Sequence, residues 1–166
     1  MTTRRFYVDR NLCMGCKTCE LRCAVERGSV AKNLFGAARE RPRARARVYV
    51  EGDGRSARVV HCRQCDDFPC VSACATGALR VDRESGCSYI DADKCLCCWM
   101  CVAACPYGVI APAAEKHAAE KCDRCFQMRE PYCMAACPTK AISLLTPEEI
   151  EEKNRERRRA AGFCGN

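Results

Sequence analysis

The residues best able to do chemistry in this chain are its cysteines, of which there are 19 in 166 residues. Such a density has three physical explanations, namely a disulfide framework, structural zinc or iron–sulfur ligation. The spacing of the thiols distinguishes them, because each metal needs its own arrangement of ligands. Three cysteines stand apart, and the others form four groups of four: Cys13, Cys16, Cys19 and Cys23; Cys62, Cys65, Cys70 and Cys74; Cys95, Cys98, Cys101 and Cys105; and Cys122, Cys125, Cys133 and Cys137.

The first and third groups share the spacing C-x2-C-x2-C-x3-C, and the other two lengthen only the second gap. Such a loop brings three sulfurs to one compact face and turns backbone N–H groups towards a cluster. In bacterial ferredoxins the fourth cysteine of a run, which precedes a proline as Cys105 and Cys137 do here, ligates the other cluster of a pair. Zinc prefers two well-separated C-x2-C pairs per ion. The repeated spacing predicts four [4Fe–4S] clusters, with a structural zinc protein as the alternative.

The three remaining cysteines are Cys87, Cys97 and Cys164. Cys97 is a rival ligand because it directly precedes Cys98, but the regular spacing favours Cys98. We expect Cys87 and Cys164 to be free thiols, since a buried free cysteine behaves as a small hydrophobic residue.

The chain has two histidines, His61 and His117, and we expect an ordinary surface role for both. His61 adjoins Cys62 and could instead tune a cluster by hydrogen bonding. The sequence shows no nucleophile–base pair, paired carboxylates or phosphate-binding loop. We therefore expect the chain to be no enzyme by itself.

The formal charge of +7 invites a nucleic-acid interpretation, which cluster charge argues against. Each oxidised cubane with four thiolates carries about −2, so four clusters contribute about −8 and leave about −1. The arginine run at residues 39–47, joined by Arg55 and Arg58, is either a solvated basic hairpin or a dock for an acidic partner. We favour the dock and expect no nucleic-acid partner.

A disulfide framework would require an oxidising compartment and usually a secretory signal. Residues 1–10 contain no apolar stretch of the kind such a signal needs. No segment approaches the roughly 20 apolar residues of a membrane span. These patterns predict a cytoplasmic protein with no direct membrane span.

The elements that position these cysteines are short. Residues 6–8 predict a first strand, and each cysteine group predicts a short helix after its third cysteine. Alternating patterns around turn residues predict three hairpins. The paired segments are residues 43–50 with 58–61, 79–82 with 88–91, and 109–111 with 119–121.

The C-terminal segment has a different pattern. Thr146 to Glu149 form a capping box with proline at the first helical position. Acidic residues come first and basic ones last, which suits the helix dipole, and Gly162 is a plausible stop. The predicted helix has almost no apolar stripe, so a solvated surface helix and a docking arm remain equally open.

The second and third groups together resemble an ordinary two-cluster bacterial ferredoxin. The whole series, over roughly residues 5–145, resembles the iron–sulfur electron-transfer subunits of molybdenum and tungsten oxidoreductases, carbon monoxide dehydrogenases, formate dehydrogenases and hydrogenases. In that family the second and third groups exchange their fourth cysteines, and so do the first and fourth. The resemblance implies four ligand sets: Cys62, Cys65 and Cys70 with Cys105; Cys95, Cys98 and Cys101 with Cys74; Cys13, Cys16 and Cys19 with Cys137; and Cys122, Cys125 and Cys133 with Cys23.

The resemblance also implies an α+β fold of two ferredoxin-like modules with a C-terminal helix. One module, at residues 55–112, is inserted into the other, which comprises residues 1–54 and 113–146 and carries the basic hairpin 39–61. The helix and tail occupy residues 147–166.

The function implied is electron relay through four clusters, between a catalytic oxidoreductase subunit and a further electron carrier or flavin subunit. A tungsten aldehyde oxidoreductase is our first expectation for the catalytic subunit, then carbon monoxide dehydrogenase, then formate dehydrogenase or hydrogenase. A free-standing polyferredoxin is the main alternative, and self-assembly of the relay is a further possibility.

Overall fold

The computed structural model describes residues 4–160 and 162 as a mixture of short strands and short helices. The strands are β1 (Arg5–Val8), β2 (Val48–Glu51), β3 (Arg58–His61), β4 (Leu79–Val81), β5 (Ser88–Ile90), β6 (Ala111–Ala113), β7 (Ala118–Glu120) and β8 (Ile142–Leu145). The helices are α1 (Thr18–Cys23), α2 (Leu34–Arg39), α3 (Pro69–Ser72), α4 (Met100–Ala104), α5 (Tyr132–Ala135) and α6 (Pro147–Ala160). The predicted α+β class is confirmed.

Within the described residues, the strands form four antiparallel pairs: β1 with β8, β2 with β3, β4 with β5, and β6 with β7. Three pairs are hairpins. The pair β1–β8 instead joins distant parts of the chain, with Phe6 opposite Leu144 and Val8 opposite Ile142. This pairing brings the first cysteine group beside the fourth.

A short helix accompanies every cysteine group, as predicted. Helices α1, α3, α4 and α5 each begin one residue before the third cysteine of a group. Helix α1 packs against α5, and α3 packs against α4. The predicted module boundaries, after residues 54 and 112, fall inside the β2–β3 and β6–β7 hairpins, and the two-module division stays a prediction.

The predicted strand at residues 43–50 is wrong in its first part, because β2 begins only at Val48. Strand β3 has four residues before the chain enters the second cysteine group, so residues 43–47 have no strand opposite them. The Arg47 N–H instead donates a hydrogen bond to the Cys23 Sγ at 3.2 Å. The other two hairpins are confirmed, although β6 begins two residues later than predicted.

The hydrophobic core is built largely from cysteine and small aliphatic residues. The core has a main cluster and a smaller one, and the smaller cluster contains Cys70 and Cys101 with Leu79 and Ile110. With few large apolar side chains available, a fold of this size usually needs a metal staple. The cysteines of the main cluster are Cys19, Cys23, Cys62, Cys122, Cys133 and Cys137.

Helix α6 begins and ends as its sequence predicts. The Glu149 N–H donates to the Thr146 Oγ1 at 3.3 Å, and the Thr146 N–H donates to the Glu149 Oε2 at 2.7 Å. Gly162 follows with a positive φ of 74°. The helix contacts β8 and has no buried residue. No helix in the described part of the chain is long and apolar enough to cross a membrane.

Candidate metal centres

The four cysteine groups share one backbone device. The residue before the second cysteine of each group has a left-handed conformation, with φ between 50° and 69°. Alternating right- and left-handed residues turn successive N–H groups into an anion-binding concavity. The loops are therefore shaped to surround a negatively charged body. The residues in this position are Gly15, Gln64, Cys97 and Arg124.

Four cavities are each lined by four cysteines, three from one group and the fourth from another. We number each cavity by the group that supplies three. Site 1 has Cys13, Cys16, Cys19 and Cys137; site 2 has Cys62, Cys65, Cys70 and Cys105; site 3 has Cys95, Cys98, Cys101 and Cys74; and site 4 has Cys122, Cys125, Cys133 and Cys23. These are the groupings that the resemblance implies, while ligation itself stays a prediction.

The cysteines of each site surround a cavity rather than converge on a point. All 18 described cysteines are free thiols. Within the described residues, no three His, Cys, Asp or Glu side chains are placed to hold a single metal ion. A four-iron body fits such a ring of thiols, because each of its irons takes one thiolate.

Three cysteines belong to none of the four groups in the sequence. Cys97 takes the left-handed position of its loop, with a φ of 54°, and Cys98 lines site 3 instead. Cys87 is completely buried, and its sulfur lies 3.8 Å from the Ser85 carbonyl oxygen. Cys164 lies outside the described residues.

Hydrogen bonds reach cysteine sulfurs in three of the sites. Such donors stabilise a thiolate and fix the position of its sulfur. The hydroxyl of Thr18 also lowers the pKa of Cys16. The donors and distances are the Thr18 Oγ1 to the Cys16 Sγ (3.3 Å), the Arg47 N–H to the Cys23 Sγ (3.2 Å), the Leu79 N–H to the Cys74 Sγ (3.4 Å) and the Arg124 N–H to the Cys122 Sγ (3.4 Å).

Several thiols are too deeply buried to ionise by themselves. Burial raises the pKa of Cys133 to about 12, and neighbouring cysteine thiolates add to the effect. Burial likewise raises the pKa values of Cys19 and Cys101 to about 11. A bound cation reverses this preference and deprotonates a coordinating thiol. Cluster loading at these sites would therefore release protons.

The contacts between sites define a linear order. Sites 1 and 4 share Val59 and Ile142 in their linings. Lys121 lines site 2 and directly precedes Cys122 of site 4, and Cys70 of site 2 packs with Cys101 of site 3 in the smaller core cluster. The order along the molecule is therefore 1–4–2–3.

The two end sites each have an exposed cysteine, whereas the two inner sites have none. Cys16 of site 1 and Cys98 of site 3 are exposed, and every cysteine of sites 2 and 4 is buried or half-buried. Exposed apolar residues border both openings, with Met14 56% exposed at site 1 and Leu96 75% exposed at site 3.

The surface role expected for His61 is wrong. Its ring is 5% exposed, lines site 4 and packs edge-to-face on Phe6 with centroids 5.1 Å apart. Burial lowers the pKa of His61, and its Nδ1 lies 2.9 Å from the Cys62 carbonyl oxygen. Every second side chain of a strand lies on the same face, so His61 shares a face of β3 with Val59. This alternation is the sequence signal that could have revealed the burial of His61. His117 is exposed, as expected.

The arginine run divides into an inward and an outward part. Arg47 forms an ion pair with Asp123 at 3.5 Å, and Arg27 also pairs with Asp123. All three line site 4, a role the sequence analysis missed. Arg39 and Arg43 are exposed, so the docking interpretation applies only to the outward arginines.

A known protein family matches more than half of the chain. The model of the 4Fe-4S dicluster domain matches residues 58–146, a stretch that contains the second, third and fourth cysteine groups. The chain belongs to this family. It is an iron–sulfur protein of the electron-transport type.

Relatives extend the similarity to nearly the whole chain. The electron transport protein HydN of Escherichia coli (strain K12) is 34% identical over 93% of this chain and 95% of its own length. The probable anaerobic dimethyl sulfoxide reductase chain YnfG of the same organism is 33% identical over 93% of this chain and 79% of its own. An iron–sulfur protein of Rhodospirillum rubrum is 34% identical over 92% and 87%.

Proposed function

We propose that this chain holds four [4Fe–4S] clusters, one in each of sites 1 to 4, and relays electrons between two partners. The observation that carries the proposal is the linear succession of four cavities, each lined by four cysteines. The proposed ligands are the sixteen cysteines named for those sites. When bound, each cluster accepts and releases one electron.

The protein's own residues hold and insulate the relay. The buried thiols fix the positions of neighbouring sites, while backbone N–H groups donate to the sulfurs. Most cysteines of the inner sites are buried, and burial is one of the properties that set cluster potentials. No proton has to move along the relay, so the chain needs no acid–base residue.

The two exposed ends suit two docking events. Met14 and Leu96 border the openings of sites 1 and 3, and apolar residues at a surface opening favour a protein partner. We propose that a catalytic oxidoreductase subunit docks at one end and a second carrier or flavin subunit at the other. The free thiols suit a reducing compartment, and we place the protein in the cytoplasm.

The catalytic partner is proposed by analogy. A tungsten aldehyde oxidoreductase remains our first expectation, followed by carbon monoxide dehydrogenase, then formate dehydrogenase or hydrogenase. The similarity to YnfG, named as a probable dimethyl sulfoxide reductase chain, adds a reductase of that type to the candidates.

A free-standing carrier is the second candidate. This chain covers 95% of HydN and 93% of YsaA, which are named as electron transport proteins. Those names favour a protein that shuttles between enzymes.

The test is anaerobic purification of the chain from its native host, with iron and acid-labile sulfide assays and identification of co-purifying proteins. About sixteen irons and sixteen sulfides per chain are expected for four cubanes. A stoichiometric metal-containing catalytic chain would identify the relay subunit, and full iron without a partner would identify the free carrier. Zinc in place of iron, or about eight irons, would contradict the four-cluster proposal.

A further inference from the structure

Lys121 is the most deeply buried charged residue in the described part of the chain, with 2% of its surface exposed. It follows strand β7 and lines site 2. The next residue, Cys122, belongs to site 4. Lys121 therefore lies where the two inner sites adjoin.

The hydrogen bonds of Lys121 require its ammonium form. Its Nζ lies 2.6 Å from the Ser88 carbonyl oxygen, 2.7 Å from the Ser88 Oγ and 3.1 Å from the Cys122 carbonyl oxygen. The Ser88 hydroxyl donates its own proton to the Gln64 Oε1 at 2.8 Å. Its oxygen must therefore accept from Lys121. Three acceptors need three protons, which only the ammonium carries.

None of these three acceptors is a carboxylate. Among the described residues, Lys121 has no ion-pair partner, and the acidic side chains beside it in sequence are engaged elsewhere. Glu120 pairs with Lys116 at 2.7 Å, and Asp123 pairs with Arg27. Burying an unpaired charge costs several kcal/mol. A charge kept under these conditions needs a negative counterpart, and none of the described carboxylates provides one.

We propose that Lys121 is a positioning residue that holds a fixed positive charge between sites 2 and 4 and raises the reduction potentials of the clusters there. This inference rests on the proposed function, because it needs clusters at both sites. A cluster gains one negative charge when it accepts one electron, and its neighbour loses that electron. A nearby fixed cation stabilises the reduced form and so makes reduction easier.

Site 2 receives the larger effect, since the Lys121 side chain lines that cavity directly. Site 4 is reached through the Cys122 carbonyl, which also accepts from the Gln64 Nε2 at 3.1 Å. The network of Gln64, Ser88 and Lys121 thus fixes the ammonium against movement. Lys121 lines neither site 1 nor site 3.

The test is a potentiometric titration of the anaerobically reconstituted full chain, followed by electron paramagnetic resonance. Lys121→Met removes the charge, Lys121→Gln removes it but keeps a hydrogen-bond donor, and Lys121→Arg retains it. Cys87→Ala is the matched control, because it removes a fully buried side chain next to Ser88 without changing any charge or any hydrogen bond of Lys121.

We expect the equilibrium constant for one-electron reduction at site 2 to fall about tenfold in both neutral variants, which corresponds to about 59 mV. A smaller fall is expected at site 4 and none at the end sites. Lys121→Arg and Cys87→Ala should remain near the wild type.

Iron content separates this inference from the proposed function. A wild-type chain without its iron would contradict the four-cluster function itself. Full iron with unchanged potentials in Lys121→Met or Lys121→Gln would overturn only the role of Lys121. The inference would also be overturned if both neutral variants lost iron while Cys87→Ala kept it, since Lys121 would then serve assembly.

Discussion

The inner pair of sites and the outer pair share the C-x2-C turn with its left-handed residue, but they lie in different surroundings. Sites 2 and 4 lie between packed helices and hairpins, and fixed charges stand beside them, Lys121 at site 2 and the Arg27–Asp123 pair at site 4. Sites 1 and 3 reach the surface at Cys16 and Cys98. The loop is thus a local structure, whereas burial and charge depend on position in the molecule. A shared C-x2-C turn is therefore compatible with different cluster properties.

The largest expected effect concerns the cysteines of the sites. Loss of an inner-site cysteine should remove more iron and destabilise the fold more than loss of an outer-site cysteine. Cys133→Ala removes a buried thiol from the main core cluster, so we expect the chain to lose most of its iron and its cooperative fold. Cys16→Ala removes an exposed ligand of site 1, so a loss of no more than about four irons is expected. Iron assays and thermal unfolding measure both.

Cys87→Ala is the matched control for this prediction. Cys87 is fully buried but lines none of the four sites, so this variant should retain all the iron. Equal iron loss in Cys133→Ala and Cys16→Ala would remove the distinction between inner and outer sites.

A second prediction concerns Cys97 and Cys98, the two adjacent cysteines at site 3. Cys98→Ser should lose or alter the cluster of site 3, because Cys98 lines that cavity. Cys97→Ser should leave it intact, since Cys97 occupies the left-handed turn of the loop. Electron paramagnetic resonance and iron content of the two variants decide this. The ligand assignment would be reversed if only Cys97→Ser changed the spectrum.

The smallest expected effect is electrostatic. Asp123→Asn removes the carboxylate that pairs with Arg27 and Arg47 beside site 4. Two guanidinium groups are then unbalanced, so reduction at site 4 should become about three- to tenfold more favourable. A potentiometric titration measures the change.

The exposed pair Arg5–Asp66 provides the control. The Asp66 side chain is 87% exposed, and water and salt screen such charges. Asp66→Asn should therefore leave all four potentials unchanged. A similar shift in both variants would show that position does not distinguish the charges around the relay.

The sequence alone determined those features that depend on near neighbours. The four cysteine loops and the helices that start beside their third cysteines follow from local spacing. The capping box at Thr146 and Glu149 likewise specified the start of α6. The choice of Cys98 over Cys97 also came from local spacing, and the cavity lining agrees with it.

Only the tertiary structure decided which distant residues meet. The order of the sites depends on the packing of α1 on α5 and of α3 on α4, which no local pattern contains. Arg47 was assigned to a docking surface, yet it pairs with Asp123, 76 positions further along the chain. His61 was placed at the surface, although the fold buries it against Phe6. Burial and charge pairing depend on contacts between residues that are distant in the sequence, and local spacing does not specify such contacts.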